Sequence, residues 1–191
     1  RSLPVKMQMI AMDEEAPPTD YYFPILSLPL AFNTTLENIP NQFPYLSADP
    51  KKSAAWKSQI SLDGDNRLRV GLVWAGAPRP QKLNYRNLNS RRDIALERLA
   101  SILNALKNEA VFYSLQKGGL AQQQLLESPL KDQIIDLTNE LNDFSDTAAL
   151  INNLNLVISV DTSTAHLAAA MDKPVFLLNR RDTCWRWLEF G

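Results

Sequence analysis

From Leu68 onward the chain alternates two apolar patterns that belong to different kinds of element. Leu68-Arg-Val-Gly-Leu-Val-Trp74, Ala110-Val-Phe-Tyr-Ser-Leu115, Gln133-Ile-Ile-Asp-Leu137, Leu156-Val-Ile-Ser-Val160 and Pro174-Val-Phe-Leu-Leu178 are short, nearly continuous apolar runs. Runs of that kind suit strands covered on both faces. Between them, Asp93 to Lys107 places Ala95, Leu99, Ile102, Leu103 and Leu106 at helical spacing, with Ser90 as a candidate N-cap. Leu120–Leu126, Asp146–Leu154 (capped by Asp143 or Ser145) and Thr162–Met171 read as further helices. Buried strands alternating with helices predict an α/β fold. The expected architecture is a Rossmann-like, doubly wound parallel sheet with helices on both faces and right-handed crossovers.

Residues 1–60 have a different character. They hold eight of the twelve prolines, and proline is excluded from helix interiors and central strands. The region should be mostly irregular, with one short strand at Val5–Ile10 and an acidic loop at Asp13–Asp20. Phe23-Pro-Ile-Leu-Ser-Leu-Pro-Leu-Ala-Phe32 is apolar but broken by proline. So much apolar surface is poorly suited to solvent, so the stretch is expected to pack on another part of the protein. Lys51 to Ser61 reads as a short helix or linker. The division is therefore 1–60 as one region and 67–191 as the strand–helix domain.

The composition, 45% apolar and 21% charged, is that of an ordinary globular protein. A net charge of −1 lacks the basic footprint of a non-specific nucleic-acid binder. No apolar run approaches the roughly 20 residues that span a bilayer. The opening Arg-Ser-Leu-Pro is not a signal peptide. It reads as a strand in progress, and the last residues stop in an apolar stretch, so a longer parent protein is expected. The single cysteine, Cys184, permits no internal disulfide and suggests a reducing, cytoplasmic compartment. Thr183 and the tryptophans beyond it give that thiol no activating neighbour, so a nucleophilic pair with His166 is disfavoured.

In such folds ligands bind beyond the carboxyl ends of the strands. After the first strand comes Trp74-Ala75-Gly76-Ala77-Pro78, where Gly76 permits close backbone approach to a ligand or simply makes a turn. There is no Gly-x-Gly-x-x-Gly dinucleotide fingerprint and no Walker lysine. After the second strand comes Gln116-Lys117-Gly118-Gly119, a cation beside exposed backbone N–H groups. After the fourth comes Ser159-Val-Asp-Thr-Ser-Thr-Ala-His-Leu167. A helix start there offers unpaired N–H groups, the positive end of the dipole and three hydroxyls, a design suited to a diphosphate. His166 follows Thr162 by four residues and should lean back toward that site. The same residues also suit an ordinary helix start and a satisfied core histidine, and the segment alone leaves both open.

Several segments in order resemble one family: Val70-Gly-Leu-Val-Trp-Ala-Gly76, Tyr113-Ser-Leu-Gln-Lys-Gly118, Asp143-Phe-Ser-Asp-Thr-Ala-Ala149, Val157-Ile-Ser-Val-Asp-Thr-Ser-Thr-Ala-His-Leu167 and Trp185-Arg-Trp187. Together they resemble bacterial glycosyltransferases of the heptosyltransferase superfamily (glycosyltransferase family 9-like), in the branch fused to tetratricopeptide repeats. Pro24 to Phe32, Ile39-Pro40 and Pro44-Tyr45-Leu46 resemble that branch as well. The resemblance implies a GT-B fold, with 67–191 as its C-terminal nucleotide-sugar-binding domain. Residues 1–60 would then be the Pro-rich end of the N-terminal domain and the connector. It further implies inverting sugar transfer from a nucleotide-diphospho-sugar to a hydroxyl of a glycan, lipid or protein acceptor, with no cofactor and no metal. The implied donor-site residues are Trp74, Ala75, Gly76, Gln116, Lys117, Asp161, Thr162, Ser163, Thr164 and His166. Base recognition would fall to backbone and shape near Leu141 to Phe144. Asp161, Thr162 and His166 match the family's Asp-Thr-Gly-x-x-His segment. Ser163 replaces its Gly, Cys184 a frequent Asp and Ala77 a frequent Asn. The general base would lie in the N-terminal domain, outside this chain, and the repeats would be further partners. Two alternatives remain: a non-catalytic GT-B-like binding or scaffold module, and a nucleotide-sugar epimerase.

Overall fold

The structure is a computed structural model of the 191-residue chain, and it describes residues 8, 10–11, 13–60, 65–76, 92–181 and 187. Its centre is one sheet of five parallel strands: β1 (Leu68–Val73), β2 (Ala110–Ser114), β3 (Ile134–Asp136), β4 (Leu156–Val160) and β5 (Val175–Leu178). The order across the sheet is β3-β2-β1-β4-β5. β1 pairs with β2 from Leu68 opposite Ala110, and with β4 from Val70 opposite Leu156. The order therefore reverses between β1 and β4, and a crevice opens at their carboxyl ends.

Each crossover contains a helix: α3 (Ala100–Leu106), α4 (Gly119–Glu127), α5 (Phe144–Asn152) and α6 (Ser163–Ala170). The period-two alternation of the strands sorts the core into two layers. Val70, Leu72, Phe112 and Ile158 point to one face, where Leu99 and Leu103 of the first crossover and Leu125 of α4 cover them. Val73, Val111, Tyr113 and Val157 point to the other, under Ala149, Leu150 and Ile151 of α5 and Ala168 of α6. Val157, Leu150 and Leu103 are essentially inaccessible, and burying each such side chain contributes on the order of 2 kcal/mol.

Boundaries differ from the periodicity in two informative places. The helix expected over 93–107 begins at Leu96 as a 3-10 turn and becomes regular only at Ala100. Asp93 and Ile94 are engaged elsewhere, on the backbone of Gly76 and Trp74. The proposed cap Ser90 lies outside the described residues. α5 begins at Phe144, two residues before the expected start, because Asp143 caps it: its Oδ1 accepts the Asp146 N–H at 2.8 Å. Asp146 reaches back in turn to accept the Asn142 N–H at 2.9 Å, a reciprocal arrangement like a capping box.

The Pro-rich region divides in two. Residues 13–49 are largely irregular, with a 3-10 turn at Ile25–Ser27 leading into the short helix α1 (Leu28–Ala31). The packing expected of this apolar stretch is not made among the described residues: Leu26 is 87% and Leu30 79% exposed. Most of the strand expected at Val5–Ile10 lies outside the described residues. Tyr45 and Leu46 then donate their N–H groups to Ala170 O at the end of α6. The helix α2 (Pro50–Ile60) lies against α5, with Trp56 and Ile60 in the α5 side of the core. Lys52 reaches Asp146 at 2.7 Å, Gln59 donates to Glu140, and Asn153 donates to Ser53 O. The segment expected to be a helix or linker is thus a helix built into the sheet domain. Among the described residues no helix is long and apolar enough to cross a membrane.

Candidate functional site

At the carboxyl ends of β1, β2 and β4 lies a cavity of about 300 Å³. Its walls come from four loops: Ala75 and Gly76 after β1, Gln116 and Lys117 after β2, Leu141 to Phe144 with Thr147 before and in α5, and Thr162 to Thr164 after β4.

The α6 side of the cavity presents hydrogen-bond donors that the helix itself leaves unused. Thr162 is the N-cap residue, in extended geometry (φ −135°, ψ 166°), yet its side chain caps nothing. Its hydroxyl instead lies 3.0 Å from Ser159 Oγ. The first backbone bond of the helix runs from His166 N to Thr162 O, at 3.3 Å. The N–H groups of Ser163, Thr164 and Ala165 therefore precede the helical ladder and carry the positive end of the dipole. Thr162, Ser163 and Thr164 line the same wall.

The β1 loop is held by side chains from outside it. Gln116 is buried, and its Oε1 accepts from Trp74 N at 3.2 Å and Ala75 N at 2.9 Å. Gly76 N donates to Asp93 Oδ1 at 2.9 Å. Arg92 spans the crevice: one terminal N–H group donates to Asp161 O at 3.0 Å, while the guanidinium occupies the space a Cβ at Gly76 would need. Glycine at 76 thus serves close approach. Glycine at 118 serves conformation instead, since its φ of 74° lies in the left-handed region. Gly118 N donates to Gln122 Oε1, which orders the turn behind Lys117. Lys117 itself is exposed and lines the cavity.

The α5 wall is fixed electrostatically. Lys52 from α2 sits 2.7 Å from Asp146 and 3.5 Å from Asp143. The Lys52 ammonium and the Asn142 N–H hold the Asp146 carboxyl below its usual range, and Asp146 in turn raises the Lys52 pKa.

The expected site residues do not all converge. Ala75, Gly76, Gln116, Lys117, Thr162, Ser163 and Thr164 line the cavity. Trp74 does not: its side chain is fully buried in the opposite layer of the core, since it follows β1 in phase with Leu72. Asp161 and His166 are also not among the lining residues. His166 leans toward the start of α6 as expected, but along its flank. Its Nε2 lies 3.4 Å from Asp161 Oδ1, and its ring stacks on Trp187 with centroids 4.9 Å apart and planes at 16°. It faces a second cavity of about 720 Å³, shared with Tyr45, Leu46, Ser145 and Leu167. Phe144 and Ser163 border both cavities. Cys184 and Ala77 lie outside the described residues.

Arg92 was not foreseen. The available signal was the Arg91-Arg92-Asp93 cluster between the first strand and its helix, on the side of the sheet where ligands bind.

Comparison with known proteins shows what the chain resembles. Residues 96–181 match the model of Glycosyltransferase family 9 (heptosyltransferase). Protein FlbA of Caulobacter vibrioides is 29% identical over 178 residues, which is 90% of this chain and 27% of FlbA. The structure of E. coli ADP-heptose LPS heptosyltransferase II superposes with a TM-score of 0.51 at 16% identity, covering 74% of this chain and 41% of that one. The glycosyl transferase family 9 structure from Veillonella parvula gives a TM-score of 0.54 at 18% identity, covering 80% and 42%. The chain spans about a quarter of the length of FlbA and about two-fifths of the two solved proteins. The fold is the Rossmann-like α/β architecture of these GT-B proteins.

Proposed function

We propose that this chain is the donor-binding half of a glycosyltransferase and that the 300 Å³ cavity receives the nucleoside diphosphate of a nucleotide-sugar. The observation that carries the reading is the α6 N-terminus, with its side-chain cap missing, opening into a cavity at the topological switch point. The family match over residues 96–181 and the heptosyltransferase structures support the reaction class.

In this reading the diphosphate lies against the N–H groups of Ser163 to Ala165 and the hydroxyls of Thr162, Ser163 and Thr164. Lys117 and Arg92 flank it from the β2 and β1 loops. The nucleoside extends toward Leu141 to Phe144 and Thr147. Sugar transfer breaks the bond between the anomeric carbon and the diphosphate oxygen as an acceptor hydroxyl attacks that carbon from the opposite face. Negative charge grows on the departing diphosphate, where the helix N-terminus and the two cations would stabilise it without reorganisation. The base that takes the acceptor proton belongs, in this reading, to residues outside the chain, so the chain alone binds donor but transfers little sugar.

Calorimetric titration with UDP, ADP and GDP tests the proposal, with Lys117→Met and His166→Ala as variants. Lys117 is exposed, so its loss leaves the fold intact. One diphosphate should bind, about tenfold more weakly in Lys117→Met, the effect of losing one charge-assisted hydrogen bond. His166→Ala separates the cavities: an equal loss there would place the ligand across both. A folded chain that binds none of the three refutes the proposal.

A further inference from the structure

At the opposite, amino-terminal ends of the strands lies a third cavity, of about 360 Å³, which plays no part in the site above. It is enclosed by α2, the turn from α5 into β4, the start of β1 and the residue before Pro174. Three cations line it, Lys57, Arg69 and Lys173, and no carboxylate does. That imbalance stands out in a chain with 21 acidic and 20 basic residues.

Part of the cluster has an internal explanation. Lys173 donates to Asn152 O at 2.7 Å and Leu154 O at 3.2 Å, and Arg69 Nε donates to Asn153 O at 3.0 Å. Both therefore serve carbonyls at the carboxyl end of α5, where cations are favoured. That role leaves several donors over. Among the described residues, the two terminal amino groups of Arg69 have no hydrogen-bond acceptor, and Lys57 has no acidic partner. Asn155 presents its amide nitrogen, since its oxygen accepts from Arg69 N. Ser53 Oγ is buried beside the same cavity with no hydrogen-bond partner, an arrangement that is costly unless a ligand or water completes it. Asp65, whose charge reaches Arg69, is itself bound by Arg67 at 2.7 Å. Burial pushes the Lys173 ammonium pKa down, as expected for a cation without a countercharge.

We propose that this cavity is a binding site for a phosphate-class oxyanion. A guanidinium fork and two ammonium groups, with amide and hydroxyl donors beside them, match a tetrahedral dianion with several acceptor oxygens. The site is separate from the nucleotide cavity. Arg69 is the second residue of β1 and Ala75 follows the strand, and that stretch of chain spans roughly 20 Å.

The test is an amide-resolved NMR titration of the full chain with inorganic phosphate, against chloride at matched ionic strength. Saturable shifts at Arg69, Asn153 and Asn155 are expected. They should weaken at least about tenfold in Lys57→Gln and in Arg69→Gln, each of which removes a charged donor. Lys57 is exposed on α2, so Lys57→Gln reads binding without threatening the fold. The proposal is overturned if phosphate shifts only Ser163 to His166, which would assign it to the α6 N-terminus. It is equally overturned if phosphate acts as chloride does, or if Lys57→Gln titrates like the parent.

Discussion

Replacing Gln116 by Met tests whether one buried amide holds the β1 loop in place. Methionine keeps the length and approximate volume of glutamine but offers no comparable acceptor, so packing changes little. Gln116 Oε1 accepts two backbone N–H groups, Trp74 N at 3.2 Å and Ala75 N at 2.9 Å. Leaving a buried donor unpaired costs about 1–3 kcal/mol. The longer bond to Trp74 belongs at the low end, and Ala75 borders a cavity from which water can relieve it in part. The sum is about 2–3 kcal/mol. For a chain of this size that lowers the melting temperature by roughly 4–12 °C. Urea unfolding followed by circular dichroism should show the midpoint fall with an unchanged slope. A loss below about 0.5 kcal/mol would mean that water or a shifted loop satisfies both donors, and Gln116 would not be an anchor.

Two further outcomes follow from the same geometry. Gly76→Ala places a methyl group against the Arg92 guanidinium; because the end of a long side chain gives way, stability should change by less than about 1 kcal/mol, while calorimetry shows nucleotide affinity reduced about tenfold. Unchanged affinity in a folded variant would remove Arg92 from the donor site. Asp146→Asn should cost about 1 kcal/mol at neutral pH and flatten the acid limb of stability. The Asp146 carboxyl is held below its usual range, so its contribution is complete above the unfolded pKa of about 4 and disappears as pH falls through the folded value. Urea midpoints between neutral and acidic pH read this directly. Asp65, held at about 2 by Arg67, keeps a residual slope in the variant, and a slope identical to the parent's would show that Asp146 has no such linkage.

The sheet was legible because its strands are apolar on both faces, and each of the five runs became a strand. Helix starts were less legible, because they depend on who engages the first turn. Asp143 fixes α5 through one side-chain bond, whereas Asp93 is drawn off to Gly76, so the helix after it starts late. Most of the residues read from the loops after strands line one cavity. Trp74 lies in the core because its alternation follows β1, and His166 lies along the α6 flank, stacked on Trp187. Arg92 could not be assigned from spacing. It acts through an Asp161 carbonyl and the empty space at Gly76, both products of the fold.

Much of the proposed donor site is backbone: the first N–H groups of α6, the space over Gly76 and the left-handed turn at Gly118. Such features need a fold and a few small residues, and leave most side chains unconstrained. This ranks the perturbations. Removing a hydroxyl from Thr162 or Ser163 takes away one donor among several, so its effect on binding should be modest. Changes that close the crevice, or that release the Gln116 and Asp93 anchors of the β1 loop, disturb the shared framework and should cost more. A ranking in the opposite order, with single hydroxyls dominating nucleotide affinity, would mean that side chains and not the α6 N-terminus carry the diphosphate.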